Sequence, residues 1–236
     1  MSQAKVNSGY GLYVRWVAAN ALAEGVGLGG SLLVGAALFS TMQSSPGVWI
    51  ELGMALLAVL LGTLFEGVLV GLAQGWVLRR PLPALRWRSW LIATAAGAGV
   101  AWLLAMTFST AMSLAADTAT QPVSAAPPPE VSDALMIALV APAGLALGTI
   151  LGLPQWIILR RHVSKAGWWV LANALAWMCG LPLTFIGPSA ISPTGLTVFS
   201  VAAILVTVVA AGAVVGAIHG AALVWLLRTH QPAGSE

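Results

Sequence analysis

From Val48 to Leu78 the chain runs through apolar residues interrupted by only two charges, Glu51 and Glu66. Few structures accept such a run. About 20 apolar residues, each rising about 1.5 Å, cross a hydrocarbon layer of ~30 Å. In lipid the backbone N–H and C=O groups must be satisfied within the segment, so the run is expected to be a helix. Five more runs have the same character: Trp16 to Phe39, Trp87 to about Met112, Ala134 to Leu159, Trp168 to Ile186, and Thr197 to Leu227. "SSPG" at 44–47 and "GPSAISPTG" at 187–195 read as turns between them. The Pro/Ala/Ser-rich stretch at about 114–133 reads as an extended extracytoplasmic loop. The expected fold is all-α, a polytopic membrane protein with six transmembrane helices in one integral membrane domain over 1–236. The first run is too long for the apolar core of a signal peptide and is read as retained.

Composition closes off the soluble alternatives. Charged residues make up 7% of the chain, against about a quarter in an ordinary globular domain. With 59% hydrophobic residues, no single soluble core hides this much apolar surface. The lone Cys179 rules out an intramolecular disulfide and a cysteine-cluster metal site. Neither a metal nor a cofactor signature is present.

The position of the cations orients the chain. Lys5, Arg15, Arg79, Arg80, Arg86, Arg88, Arg160, Arg161, Lys165 and Arg228 are all of its lysines and arginines. With six spans, all ten fall on one side, which the positive-inside rule makes cytoplasmic. Both termini are then expected inside a bacterial cytoplasmic membrane. The opposite side carries Glu51, Asp117, Glu130 and Asp133. The net charge of +3 does not make a nucleic-acid partner, because apolar spans separate the basic clusters. Eight tryptophans (16, 76, 87, 90, 156, 168, 169 and 225) lie near the basic side, as an interfacial belt would.

The chain also repeats itself. "WVAANALAEGVG" from Trp16 matches "WVLANALAWMCG" from Trp169, and "WLIATAAGAGVA" from Trp90 is a looser version. Gly67-x-x-x-Gly71, Gly148-x-x-x-Gly152 and Gly216-x-x-x-Gly220 each precede a terminal Leu-Arg. Three tandem, parallel helical hairpins follow, at about 10–86, 87–165 and 166–236. Small residues at i and i+4 let helix backbones approach closely where lipid gives no hydrophobic drive between helices. Gln74 and Gln155 share a helix face with their glycine pairs, and Asn20 and Asn173 sit on the partner helices; these amides are read as hydrogen-bonding links between helices. "GVGLGG" at 25–30 spells a dinucleotide-binding pattern, but without a preceding strand it is read as helix packing.

The phrases G-x-x-Q-W-x-x-L-R-R and W-W-V-x-A-N, clearest from Gly152 to Gly180, resemble those of an uncharacterised group of bacterial multi-pass membrane proteins. The resemblance implies fold and location and brings no activity, substrate or catalytic residue.

Function is sought where the repeat breaks. Glu24 replaces Ala98 and Trp177, Glu66 replaces Leu147 and Val215, and His219 replaces Val70 and Leu151. Counting from the basic ends, Glu24 and His219 lie roughly 13 Å deep and Glu66 roughly 19 Å. Ionisable residues at such depth cost about 2.5–3.5 kcal/mol on insertion scales and mark a functional site by default. Glu24, Glu66 and His219 are the candidate intramembrane polar site, a place to exchange protons or hold a cation. The competing reading keeps both carboxyls protonated and hydrogen-bonded to neighbours. Pro142, Pro154 and Pro182 lie within spans, where they tolerate or open a cavity. The expected function is binding or transport of a small solute or ion. The alternative is a non-catalytic accessory subunit whose glycine faces dock a membrane partner or a second copy. The chain offers no nucleophile–base pair, so an enzyme is the third reading.

Overall fold

The computed structural model describes residues 3–40, 47–118, 133–192 and 195–230. Among them are six helices long and apolar enough to cross a membrane. They are α1 (Gln3–Ser40), α2 (spanning Val48–Leu78), α3 (Trp87–Thr118), α4 (Asp133–Leu159), α5 (Trp168–Ile186) and α6 (Val198–His230). The chain is a membrane-embedded, all-helical protein. Two spans, Val48–Leu78 and Trp168–Ile186, end where the sequence reading ends them. Others run longer: α1 begins at Gln3, and α3 continues to Thr118, so the start of the expected 114–133 loop is helical. The rest of that loop, from 119 to 132, and the 44–46 part of the first turn lie outside the described residues, as does 193–194 of the second.

The second helix is not uniform. Val48–Leu61 and Val68–Leu78 are α-helical, and Gly62–Gly67 between them is one turn of π-helix. Such turns insert an extra residue and occur often at functional sites. Here the turn carries Glu66.

The helices form a closed ring, each packed on its neighbours in chain order, with α6 returning to α1. The tightest pairs are α2 with α3, α4 with α5, and α6 with α1. These cross the boundaries between the hairpins expected from the sequence. Glycines explain the close approach: a Cβ at Gly71 would lie 3.1 Å from the Cα of Leu91, and one at Gly152 would lie 3.1 Å from the Cα of Val170. On α6 the equivalent contact is made by Gly216, whose Cβ would lie 3.0 Å from the Cα of Val17.

That contact shifts the expected register by one helical turn. Gly216-x-x-x-Gly220 does not occupy the place of Gly67-x-x-x-Gly71 and Gly148-x-x-x-Gly152; Gly212 and Gly216 do. Gly220 instead packs beside Tyr13 and Trp16, as Gly75 packs beside Trp87 and Trp90. The slip has a simple cause. Helix α6 carries one more turn before its terminal Leu227-Arg228, and the fully buried counterpart of Leu78 and Leu159 is Leu223. In this register His219 stands where Gln74 and Gln155 stand, not where Val70 and Leu151 do.

At the basic end, Trp16, Trp90 and Trp169 form the centre of a core with Leu78, Leu159 and Leu223. The three indoles have 0% exposure, so they are not members of an interfacial belt. Trp169 meets both others edge-on, with ring centroids 5.8 Å and 5.9 Å apart. The tryptophans that do face outward at this end include Trp76, Trp87, Trp168 and Trp225. Arg160 lies over Trp156 at 4.9 Å and Arg88 over Trp87 at 5.5 Å, within cation–π range. The 25–30 glycines sit inside α1 as packing positions: Gly27 lies against the backbone of Glu66 and Gly30 against Phe65.

Candidate functional site

A polar chain runs across the middle of the ring, and the sequence positions expected to supply it do so. The side-chain amide of Asn20 donates to the Trp16 carbonyl at 2.8 Å, and that of Asn173 to the Trp169 carbonyl at 2.9 Å. Each thus caps a carbonyl one turn back on its own helix. Between helices, Gln74 Nε2 donates to Asn20 Oδ1 at 2.9 Å, and Gln155 Nε2 donates to Gln74 Oε1 at 3.1 Å. The indole N–H of Trp90 donates to Gln74 Oε1 (3.1 Å), and that of Trp169 to Gln155 Oε1 (2.9 Å). Thr94, which the sequence reading passed over, accepts from Gln155 at 3.0 Å and donates to the Trp90 carbonyl at 3.0 Å. Its signal was available, because Thr94 occupies in α3 the place of Asn20 in α1 and Asn173 in α5.

The chain stops at the third step. Trp16 Nε1 is buried without a hydrogen-bond partner, and so are both ring nitrogens of His219. His219 is 2% exposed and lies against the Trp169 ring, centroids 5.2 Å apart. Glu24, 3% exposed, has a buried Oε2 without a partner as well. Buried polar groups left unpaired are costly, about 1–3 kcal/mol each, and natural proteins rarely leave several in one place.

Glu24 and His219 share one space. A cavity of about 30 Å³ is lined by Glu24, Glu66 and His219, with Asn20, Gln74 and Gln155 also in its wall. The three candidate residues, drawn from the first, second and sixth spans, therefore do meet. Gly67 lines the cavity directly, while Gly71, Gly148, Gly152, Gly216 and Gly220 do not; they hold the helix pairs together around it. None of Pro142, Pro154 or Pro182 lines it either. The space is walled by helix faces, the π-turn of α2 among them, rather than by backbone opened at proline.

Glu66 is held from outside the cavity. Trp102 Nε1 on α3 donates to Glu66 Oε2 at 2.8 Å. The sequence reading did not single out Trp102, although it too breaks the repeat, standing where α1 has Leu28 and α5 has Leu181. Gly62, in the π-turn, lies directly beneath the Trp102 indole and leaves it no room for a Cβ. Among the described residues no group of three His, Cys, Asp or Glu side chains is arranged to hold a metal ion. The site offers two carboxyls and an imidazole around a space the size of one or two water molecules. No protein-family model, curated protein or solved structure matches the chain.

Proposed function

We propose that this protein is a bacterial-type cytoplasmic-membrane protein that binds and moves protons through the cavity between Glu24, Glu66 and His219. The observation carrying this reading is the convergence of three ionisable, almost fully buried side chains on one cavity of about 30 Å³. A water needs roughly 10–15 Å³ of such space, so the cavity accepts water or hydronium and excludes an organic solute. Carboxyls and imidazole at membrane depth are the usual relay groups of proton paths. The orphaned Glu24 Oε2 and His219 nitrogens are the partners such a water would take.

Two finer readings accompany it. The recurrence of Trp16/Trp90/Trp169, their i+4 polar residues and the glycine contacts supports three parallel repeats. The gathering of the Lys- and Arg-bearing helix ends at one end of the ring supports cytoplasmic termini.

The test is proton flux in proteoliposomes carrying a trapped pH dye, driven by a potassium-diffusion potential. Glu66→Gln keeps an acceptor for the Trp102 indole while removing the titratable group, and Glu24→Gln does the same at its position. Each is expected to lower flux at least about a hundredfold, the scale of a lost proton-transfer group, with elution profile and Tm preserved. Flux that is unchanged in both folded variants overturns the reading. Co-purification of a stoichiometric membrane partner would favour the accessory-subunit alternative.

A further inference from the structure

At the basic end of the ring, one cluster of outward-facing side chains is built across two elements. Trp168, the first residue of α5, and Trp225 of α6 meet edge-on with ring centroids 6.1 Å apart. Trp168 is 56% and Trp225 42% exposed, unlike the buried trio of Trp16, Trp90 and Trp169. The Lys165 ammonium lies over the Trp225 ring at 5.8 Å. The contacts of Arg88 with Trp87 and of Arg160 with Trp156 join near neighbours in sequence, whereas this one joins the α4–α5 connection to α6. The opposite end carries instead a cavity of about 320 Å³ between α1, α2 and α3, whose lining holds no charged side chain.

Three observations say what this cluster recognises. First, its cations are held in place. Lys165 has a left-handed backbone, φ 58°, uncommon outside glycine, and its carbonyl accepts from the Trp168 N–H at 3.1 Å. Ammonium and indole thus come from one fixed turn. An indole face attracts the charge and leaves the ammonium's N–H groups for an oxygen ligand. Arg228, three residues beyond Trp225 on α6, reaches toward α1 at Gly9. Because α6 stands between α5 and α1 in the ring, Lys165 and Arg228 bracket its outward face. Second, no carboxylate among the described residues competes for them. Glu24 and Glu66 line the polar cavity, and Glu51, Asp117 and Asp133 belong to the opposite ends of their helices. Third, Trp168, Leu171 and Leu175 are all exposed. At i, i+3 and i+7 they carry one apolar face from the indoles toward the middle of the span.

We propose that this cluster is a binding site for an anionic phospholipid of the leaflet at the basic end. Lys165 and Arg228 take its phosphate over the Trp168–Trp225 floor, and an acyl chain lies along the Leu171–Leu175 face. Basic groups between transmembrane helices at headgroup level suit anionic lipids, and indoles suit that depth. A zwitterionic lipid would bring its own ammonium to a place that already holds two cations. A free phosphate would use the cations and leave the indoles and leucines without a role. The cluster shares no residue with the polar cavity, so the proposal does not rest on the proton reading.

The experiment titrates the full chain, in a neutral detergent, with phosphatidylglycerol or with phosphatidylcholine of the same acyl chains. Bound lipids are counted by native mass spectrometry. Saturable binding of phosphatidylglycerol, at least about tenfold tighter than phosphatidylcholine, is expected. Lys165→Gln and Arg228→Gln are each expected to weaken phosphatidylglycerol about fivefold and to leave phosphatidylcholine unchanged; either serves if the other fails to fold. Arg86→Gln removes the same charge from the α2–α3 connection and is expected to change neither. All three side chains are exposed, so the elution profile should be preserved. Equal affinity for the two lipids would sink the proposal. So would an Arg86→Gln variant weakened as much as Lys165→Gln, which would mean a diffuse basic surface rather than a site. Displacement of the lipid by inorganic phosphate at constant ionic strength would overturn it in favour of a free anion.

Discussion

Trp16, Trp90 and Trp169 occupy equivalent places in α1, α3 and α5, yet their indole N–H groups fare differently. Trp90 and Trp169 each donate to a glutamine. Trp16 makes no such bond, and on α6 the glutamine's place is taken by His219. An amide offers a carbonyl acceptor on a flexible stem; the shorter, rigid imidazole stacks beside Trp169 instead. His219→Gln therefore restores the pattern of the other two steps. With Trp16 unpaired, this change is expected to stabilise by about 1 kcal/mol, a rise of about 2–4 °C in Tm for a chain of this length. Proton flux falls in the same variant. A stability lost for a function gained is the signature to look for in a thermal melt run beside the flux assay. A Tm that drops instead would mean that the histidine serves structure.

At the scale of the helix, glycine position separates packing from lipid exposure. A Cβ at Gly212 would lie 2.8 Å from both the Asn20 carbonyl oxygen and the Glu24 Cβ, whereas one at Gly53 meets nothing within 4 Å. The contact at Gly212 is with backbone, which cannot swing aside. Gly212→Ala should push α6 from α1 and lower stability by about 1–3 kcal/mol, while Gly53→Ala should be neutral or raise it by up to about 1 kcal/mol. Melting curves of the two variants decide this, and equal effects would contradict the packing account. The sequence revealed the spans well, because membrane thickness and basic flanks fix their ends. It placed Gln74, Gln155, Asn20 and Asn173 on interhelical faces for the same reason: i, i+4 spacing survives in any α-helix. It could not reveal the π-turn at Gly62–Gly67, since one inserted residue leaves no mark in composition, and the turn alters which way Glu66 points. It misjudged the register of α6 because alignment on a terminal Leu-Arg assumes helices of equal length. Trp102 escaped notice for a different reason: among so many apolar residues a tryptophan reads as bulk, and its role depends on a partner far away in the sequence.

For the molecule as a whole, the ring has two unlike ends. One gathers Arg79, Arg80, Arg160, Arg161 and Arg228 around the buried tryptophan core; the other holds the apolar cavity and Glu51. The polar cavity lies between them, sealed from the basic end by Trp16, Trp90, Trp169 and the leucines packed on them. On the proposed reading, a proton arriving from the apolar cavity's side would meet the Trp102–Glu66 bond first and Glu24 and His219 afterwards. Orientation in the membrane thus sets the direction in which the path is read. Moving clustered arginines across a bilayer is costly, so the basic end is expected to stay on the side where the chain is made. With Cys179 replaced by alanine, a cysteine at Gly47 should react with a membrane-impermeant maleimide applied to intact bacterial cells expressing the protein. A cysteine at Lys165, an exposed position with a backbone φ of 58° in the α4–α5 connection, should react only after the membrane is opened. The reverse pattern would place the basic end outside, while leaving the side-chain geometry of the cavity as it is.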